Sequence, residues 1–342
     1  MKILVTGGAG FIGSNFIRYS LQKHPQYHIV NLDKLTYAGN LDNLSEIKDH
    51  SHYRFVKGDI CDLDLVNGLL KEGVDAILHF AAESHVDRSI YDPAIFVRTN
   101  VMGTQVLLES AREFKIGRYI QVSTDEVYGS WGEEGSAEET SPLLPNSPYA
   151  ASKASADLLV RSYFETYRLP AIICRCTNNY GPYQFPEKLI PLFITNALFD
   201  QSLPLYGDGL YVRDWIHVVD HCRALDLILH GGKVGEIYNV SGGNETTNLR
   251  ITDLILRKME KPKSLVEHVK DRPVHDRRYS LNCSKIKTEL GWRPEIPFEE
   301  GISSTVEWYS SNQSWWQKVK SGEYLEYYEK HYMHREAHHK VE

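Results

Sequence analysis

Short apolar runs alternate with amphipathic stretches through the first half of the chain. Lys2–Thr6, His28–Leu32, Tyr53–Lys57, Ala76–Phe80, Tyr119–Ser123 and Ala171–Arg175 read as strands. Between them, apolar positions recur at helical spacing over Phe11–Lys23, Asn40–Lys48, Asp62–Lys71, Pro93–Phe114 and Tyr149–Tyr167. Strands this apolar need cover on both faces, which a parallel sheet flanked by helices provides. Right-handed crossovers then make the sheet doubly wound. The expectation is an α/β, Rossmann-like domain over residues 1–182.

After about Pro182 the rhythm breaks into shorter elements with more Pro, Gly and charge. Glu187–Phe199, Ile251–Lys258 and Ser303–Ser311 are predicted helical, and Leu203–Tyr206 and Glu236–Val240 extended. Residues 183–342 are expected to form a smaller α/β substrate lobe, partly interleaved with the sheet and facing its carboxyl edge. Gly129–Asn146, rich in Gly, Glu, Ser and Pro, reads as a loop. The aromatics Trp315, Trp316, Tyr324, Tyr327, Tyr328 and Tyr332 are expected to pack rather than bind.

Composition narrows the class. With 42% hydrophobic and 24% charged residues the chain can bury a core, which excludes wholesale disorder. No apolar run approaches the length of a bilayer span, and Met1 leads straight into a strand and a glycine loop. A soluble, cytoplasmic protein is expected. The 38 Lys+Arg against 45 Asp+Glu give a net charge of −7, the wrong sign for a nucleic-acid backbone binder. A small phosphorylated ligand needs only one or two well-placed arginines. Cys61, Cys174, Cys176, Cys222 and Cys283 show neither disulfide nor zinc spacing and read as core thiols, Cys174 and Cys176 sharing one strand face. The histidines show no ligand spacing either, so no metal is predicted.

Two motifs carry chemistry. The strand Lys2–Thr6 runs into Gly7-Gly8-Ala9-Gly10-Phe11-Ile12-Gly13, which opens a helix. Glycines there let the backbone turn tightly against a pyrophosphate seated on the helix N-terminus. Asp33 ends the next strand, twenty residues after Gly13, and is placed to bind ribose hydroxyls and repel a 2′-phosphate. NAD is therefore favoured over NADP, with Lys34 beside the acid; Asp59 and Ile60, ending the third strand, suit the adenine edge. The second motif is Tyr149 and Lys153, four apart and so on one helix face, with Ser147-Pro148 as cap and first turn. A nearby ammonium and a cationic nicotinamide are expected to lower the phenol's pKa, so that it takes an alcohol proton as hydride leaves the same carbon.

The glycine loop, Asn100 and the Tyr149/Lys153 pair resemble the extended short-chain dehydrogenase/reductase superfamily. Within it, Asp33–Asn40, Ala81–Ser89, Thr124–Gly129, Asn178–Leu189 and Arg213-Asp214-Trp215 resemble the dTDP-glucose 4,6-dehydratase family over roughly residues 1–310. One departure is Val274 in the stretch Asp271–His275, where the family usually has glycine.

The resemblance implies a homodimeric lyase that pairs the helices near Pro93–Phe114 and Tyr149–Tyr167. It implies oxidation of dTDP-glucose at C4, elimination of water across C5–C6 and hydride return to C6, giving dTDP-4-keto-6-deoxyglucose with NAD regenerated. Glu126 is then the base, Asp125 the acid, and Thr124 the group holding the C4 oxygen. A neighbouring carboxyl pair at a strand end can divide those roles if environment splits their pKa values. An epimerase would need no such pair. Further cofactor contacts are implied at Phe11, Ile12, Thr36, Ala81, Ala82, Ser84, Thr99 and Asn179. His85 and Asn178 would face the sugar; Arg213, Asn248 and Arg272 the diphosphate; Lys188, Leu189 and Pro204-Leu205-Tyr206 the base; His275 would be a further substrate contact.

Overall fold

A computed structural model describes residues 1–320. Thirteen strands follow in chain order: β1 (Lys2–Thr6), β2 (His28–Asp33), β3 (Tyr53–Lys57), β4 (Ala76–His79), β5 (Arg118–Thr124), β6 (Ala171–Cys176), β7 (Asn178–Tyr180), β8 (Leu203–Tyr206), β9 (Val212–Arg213), β10 (Trp215–His217), β11 (Ile237–Val240), β12 (Thr246–Thr247) and β13 (Val266–Val269). The α-helices are α1 (Phe11–Lys23), α2 (Leu63–Leu70), α3 (Val86–Tyr91), α4 (Pro93–Phe96), α5 (Gly103–Glu113), α6 (Pro148–Tyr167), α7 (Leu189–Leu198), α8 (Val218–Gly231), α9 (Asn248–Lys258), α10 (Ser284–Leu290), α11 (Phe298–Ser311) and α12 (Gln313–Val319).

Seven strands make one parallel sheet in the order β11-β6-β5-β4-β1-β2-β3. Strand order reverses between β1 and β4, and ligands of such sheets sit at the carboxyl ends beside that switch point. Alternation along each strand sends Ile3 and Val5 to a core under α1 and α8, and Leu4 to a second core under α2, α5 and α6. Cys174 and Cys176 lie together in the first of these, as their spacing predicted. A third core joins α7, α9, α11 and α12 in the C-terminal half, which returns to the large sheet through β11. Trp315 and Trp316 are buried there, their indoles donating to Asn43 Oδ1 and the Tyr309 carbonyl. Tyr324, Tyr327, Tyr328 and Tyr332 lie outside the described residues. Among the described residues no helix is long and apolar enough to cross a membrane.

Two helical expectations need correction, and one long helix was not foreseen. Over Asn40–Lys48 only Leu41–Leu44 is helical, and it is a 3₁₀ turn. The Asn40 side chain caps Asp42 and that of Asn43 donates to the Ala9 carbonyl, so local polar side chains compete with a longer helix. The run predicted over Pro93–Phe114 starts earlier, at Val86, and breaks at Asp92, which precedes a proline and leaves the helical region. It then passes through a π-helical turn, Val97–Met102, before α5. Helix α8 was not anticipated. Asp220, His221 and Asp226 interrupt its apolar pattern yet are buried, because distant groups satisfy them: Asp220 accepts from the backbone of Glu295 and Ile296, and His221 bonds Asn179.

Candidate active site

The turn from β1 to α1 is a cradle that glycine alone fits. Gly7 has φ +72°, and a Cβ on it would lie 2.5 Å from the Ala81 nitrogen; a Cβ on Gly13 would lie 2.4 Å from the Gly7 carbonyl oxygen. Gly10 caps α1 without a side-chain hydrogen bond, leaving first-turn N–H groups for an anion. At the end of β2, the buried Asp33 carboxylate accepts from Ala9 N (2.9 Å) and Leu35 N (2.8 Å). Those bonds fix its direction and leave lone pairs for ribose hydroxyls. Burial raises its pKa, against the lowering from the two N–H donors. Lys34 turns away to pair with Asp59 at 2.8 Å. A single cleft along these strand ends is lined by every residue predicted for the cofactor: Gly7, Gly10, Phe11, Ile12, Gly13, Asp33, Lys34, Thr36, Asp59, Ile60, Ala81, Ala82, Ser84, Thr99, Tyr149, Lys153 and Asn179.

Thr124, Asp125 and Glu126 reach the same cleft from the end of β5. Thr124 ends the strand, and its hydroxyl accepts from Glu126 N while donating to Asp125 Oδ1 at 3.1 Å. Asp125 and Glu126 open a 3₁₀ turn, Asp125–Tyr128. One oxygen of each carboxyl group, Asp125 Oδ2 and Glu126 Oε2, is buried without a hydrogen-bond partner. Both pKa values rise. Asp125 lies well above its ordinary value, through desolvation and then the Glu126 charge. Glu126 rises through desolvation, opposed by Arg272, Arg213 and Lys188.

Ser147 caps α6 through Ala150 N, with Pro148 in the first turn, and the helix delivers Tyr149 and Lys153 to the cleft. The expected lowering of the tyrosine is not met by the protein alone. Burial pushes the Tyr149 phenol well above its ordinary value, with Glu126 adding to the rise, while the Lys153 ammonium donates to the Val122 carbonyl at 2.7 Å. Desolvation lowers the Lys153 pKa.

A second cleft opens from the first, sharing Ser84, Glu126, Asn178, Glu187 and Lys188 with it. His85, Asn178, Lys188, Leu189, Pro204, Tyr206, Arg213, Asn248, Arg272 and His275 all line it. Arg213 lies over the Tyr279 ring, 4.2 Å from its centre, and donates to the Val212 and Asp276 carbonyls. Arg272 Nε and Asn248 Oδ1 are buried without protein partners, a donor and an acceptor left for a polar ligand. The His275 imidazole stacks on Tyr211 at 3.6 Å, and desolvation followed by Arg272 pushes its pKa down to about 3. Val274, between them, has φ +49° and is 64% exposed.

Several site residues escaped the sequence reading. Glu187, buried and reached by Arg88 at 3.4 Å, stands beside Lys188 in the quoted Asn178–Leu189 stretch and could have been named from it. Asp87 likewise stands within the Ala81–Ser89 stretch, whereas Tyr279 enters through the fold and carries no local signal. The structure also gathers His24, Asp226 and His230, whose potential ligand atoms lie within 4.8 Å of one another. That triad spans α1 and α8, so no sequence spacing announces it. Its groups are already bonded within the protein: Asp226 to Lys23 and His24 at 2.8 Å each, His230 to Tyr27 and the Asp226 carbonyl.

Comparison with known proteins agrees with this geometry. The GDP-mannose 4,6 dehydratase family model matches residues 4–305. The dTDP-glucose 4,6-dehydratase of Streptomyces niveus is 55% identical over 325 residues, covering 94% of this chain and 96% of that protein. The crystal structure of a dTDP-glucose 4,6-dehydratase from Streptomyces venezuelae, solved with NAD bound, superposes with a TM-score of 0.91 at 54% identity, covering 94% of this chain and all of that one. The corresponding structure from Bacillus anthracis, also in complex with NAD, gives 0.89 at 52% over the same shares of the two chains. With likeness this high along nearly the whole length, and with a glycine cradle, a Tyr-Lys helix and an Asp-Glu turn converging on one cleft, the chain belongs to the dTDP-glucose 4,6-dehydratase family of the extended short-chain dehydrogenases/reductases.

Proposed function

We propose that this protein is an NAD-dependent lyase of deoxysugar biosynthesis, converting dTDP-glucose to dTDP-4-keto-6-deoxyglucose and water. The observation that carries the reading is the Asp125–Glu126 pair, each with one buried, unpartnered carboxyl oxygen, where a dinucleotide cradle meets an arginine-bearing cleft. A 4-epimerase of the same fold has no step that would use this second acid–base pair.

The glycine cradle and Asp33 suit an NAD pyrophosphate and ribose, since a Cβ at Gly7 or Gly13 would close the turn. When bound, the dinucleotide accepts hydride from sugar C4 and returns it to C6, and its positive ring favours the Tyr149 phenolate. Tyr149 takes the C4 hydroxyl proton. Lys153, anchored on Val122, holds its ammonium one helical turn away. A ketone at C4 makes the C5 hydrogen acidic. Glu126 takes that proton, Asp125 gives its own to the C6 oxygen, and water leaves; C5 is reprotonated as C6 is reduced. The division of labour follows from environment: enclosure beside the Glu126 charge favours the protonated form of Asp125, whereas Arg272, Arg213 and Lys188 favour the carboxylate of Glu126. Arg213, Asn248 and Arg272 hold the diphosphate, Lys188, Leu189, Pro204, Tyr206 and His275 the nucleoside, and His85, Asn178 and Thr124 the sugar.

The reading includes a homodimer. Ile90, Tyr91, Ile95, Val97 and Met102 on the helical run from α3 onward, and Leu158 and Tyr167 on α6, are exposed apolar side chains on neighbouring helices. Sedimentation of a monomer at micromolar concentration would sink that part.

The test of the activity is incubation with dTDP-glucose in D₂O without added NAD, followed by NMR and mass spectrometry. Loss of water, a 4-keto-6-deoxy sugar and deuterium at C5 are expected. Recovery of a C4 epimer would replace the reading by an epimerase.

A further inference from the structure

Arg175 sits in β6, a strand whose residues are all buried, and a guanidinium there requires partners. Cys174 and Cys176 face the α1/α8 core, so Arg175 points to the opposite side, toward α6. Its Nε donates to Asp157 Oδ2 at 2.8 Å. Asp157 belongs to α6, one turn beyond Lys153 and two beyond Tyr149. The other arm, NH1, donates to the Tyr128 hydroxyl at 2.8 Å, and Tyr128 closes the 3₁₀ turn that Asp125 and Glu126 open. One side chain thus grips both segments that carry the proposed chemistry.

The surrounding bonds reinforce the same two attachments. Ser123, directly before Thr124, donates to Asp157 Oδ2 at 3.0 Å, so the aspartate holds both Arg175 and the end of β5. Tyr128 donates onward to Asn239 Oδ1 on β11 at 2.9 Å, and the guanidinium carbon lies 4.8 Å from the Tyr128 ring centre. Asp157, Tyr128 and Asn239 are all buried. Resting on the dehydratase reading, we propose that Arg175 is the positioning residue that keeps the Asp125–Glu126 turn in register with the Tyr149–Lys153 helix, through Tyr128 on one side and Asp157 on the other. Oxidation at C4 uses the helix, whereas elimination requires the turn to reach C5 and C6 of the sugar that the helix holds. Loosening the link should therefore slow elimination more than oxidation.

The test compares wild type with Tyr128→Phe, which removes one hydroxyl and leaves the Arg175–Asp157 pair, and with Arg175→Lys, which keeps the charge and loses the fork. In single turnovers on NAD-loaded protein, 340 nm absorbance reads C4 oxidation, and solvent deuterium at C5 reads the elimination half. For both variants, C5 incorporation should fall about tenfold or more, the scale set by small misplacements of reacting groups, with oxidation within about twofold of wild type. Reduced dinucleotide should then persist longer in the variants than in wild type. Equal loss of both steps would overturn the inference, leaving Arg175 a stabilising residue only. Unchanged partition in both folded variants would overturn it as well. Failure of wild type itself to form the keto sugar would instead remove the dehydratase reading on which it rests.

Discussion

Val274→Gly isolates a strain visible in the backbone. Val274 holds φ +49°, and its side chain is mostly exposed, so little burial offsets the conformation. A left-handed conformation costs an L-residue about 1–2 kcal/mol, with β-branched residues at the unfavourable end. Glycine removes that cost but loses about 0.5–1 kcal/mol through the greater freedom of its unfolded state. The net expectation is a stabilisation of about 0.5–1 kcal/mol, or about 1 °C in Tm for a chain of this size.

The loop is held in place by the protein itself. Asp271 Oδ1 accepts from Arg272 N at 2.9 Å and bonds His275 Nδ1 at 2.7 Å, and Tyr211 donates to the same carboxylate. The strain is therefore present before a nucleotide arrives, and its relief belongs in stability rather than affinity. Differential scanning calorimetry should show the higher Tm, and titration calorimetry with dTDP a Kd within about twofold of wild type. Val274→Ala keeps a Cβ in the left-handed region and should recover less than half of the gain. A lower Tm for the glycine variant would refute the reasoning, and so would an equal gain for alanine, which would locate the effect in the side chain rather than the backbone.

Other outcomes follow from the site. Tyr149→Phe should abolish both C4 oxidation and dehydration with Tm changed by less than about 2 °C; wild-type turnover would remove Tyr149 as the base. Glu126→Gln should suppress C5 deuterium exchange by at least about a hundredfold, as expected for loss of a positioned base, and undiminished exchange would reassign the role. The same exchange should be bell-shaped in pH. It should rise as Glu126 ionises above its ordinary 4.5 and fall as pH passes the raised value of Asp125, which must stay protonated; an acid limb at or below 4.5 would contradict the burial argument. Gly13→Ala places a Cβ 2.4 Å from the Gly7 carbonyl, so purified protein should lose its retained dinucleotide, read by absorbance after acid extraction.

Short stretches of chain encode a large part of this architecture. Buried strands, the glycine turn, Asp33 at the end of the next strand, and Tyr149 above Lys153 on one helix are set by periodicity and by bonds spanning a few residues. Each was legible, and each lines the cleft. Arg213, Asn248, Arg272 and His275 could be named only through resemblance, because nothing local distinguishes a ligand-facing arginine from a surface one. The remaining features come from long-range packing. It brought two clefts together at Glu126 and Glu187, satisfied the polar face of α8 from Glu295, Ile296 and Asn179, and spent Lys153 on a strand carbonyl. It also joined Arg175 to Asp157, 18 residues away, and to Tyr128, 47 away. Such contacts depend on which faces meet across the sheet, and burial then sets both the pKa values and the need for partners. A charge inside an apolar strand signals that a partner exists; only the packed fold says which one.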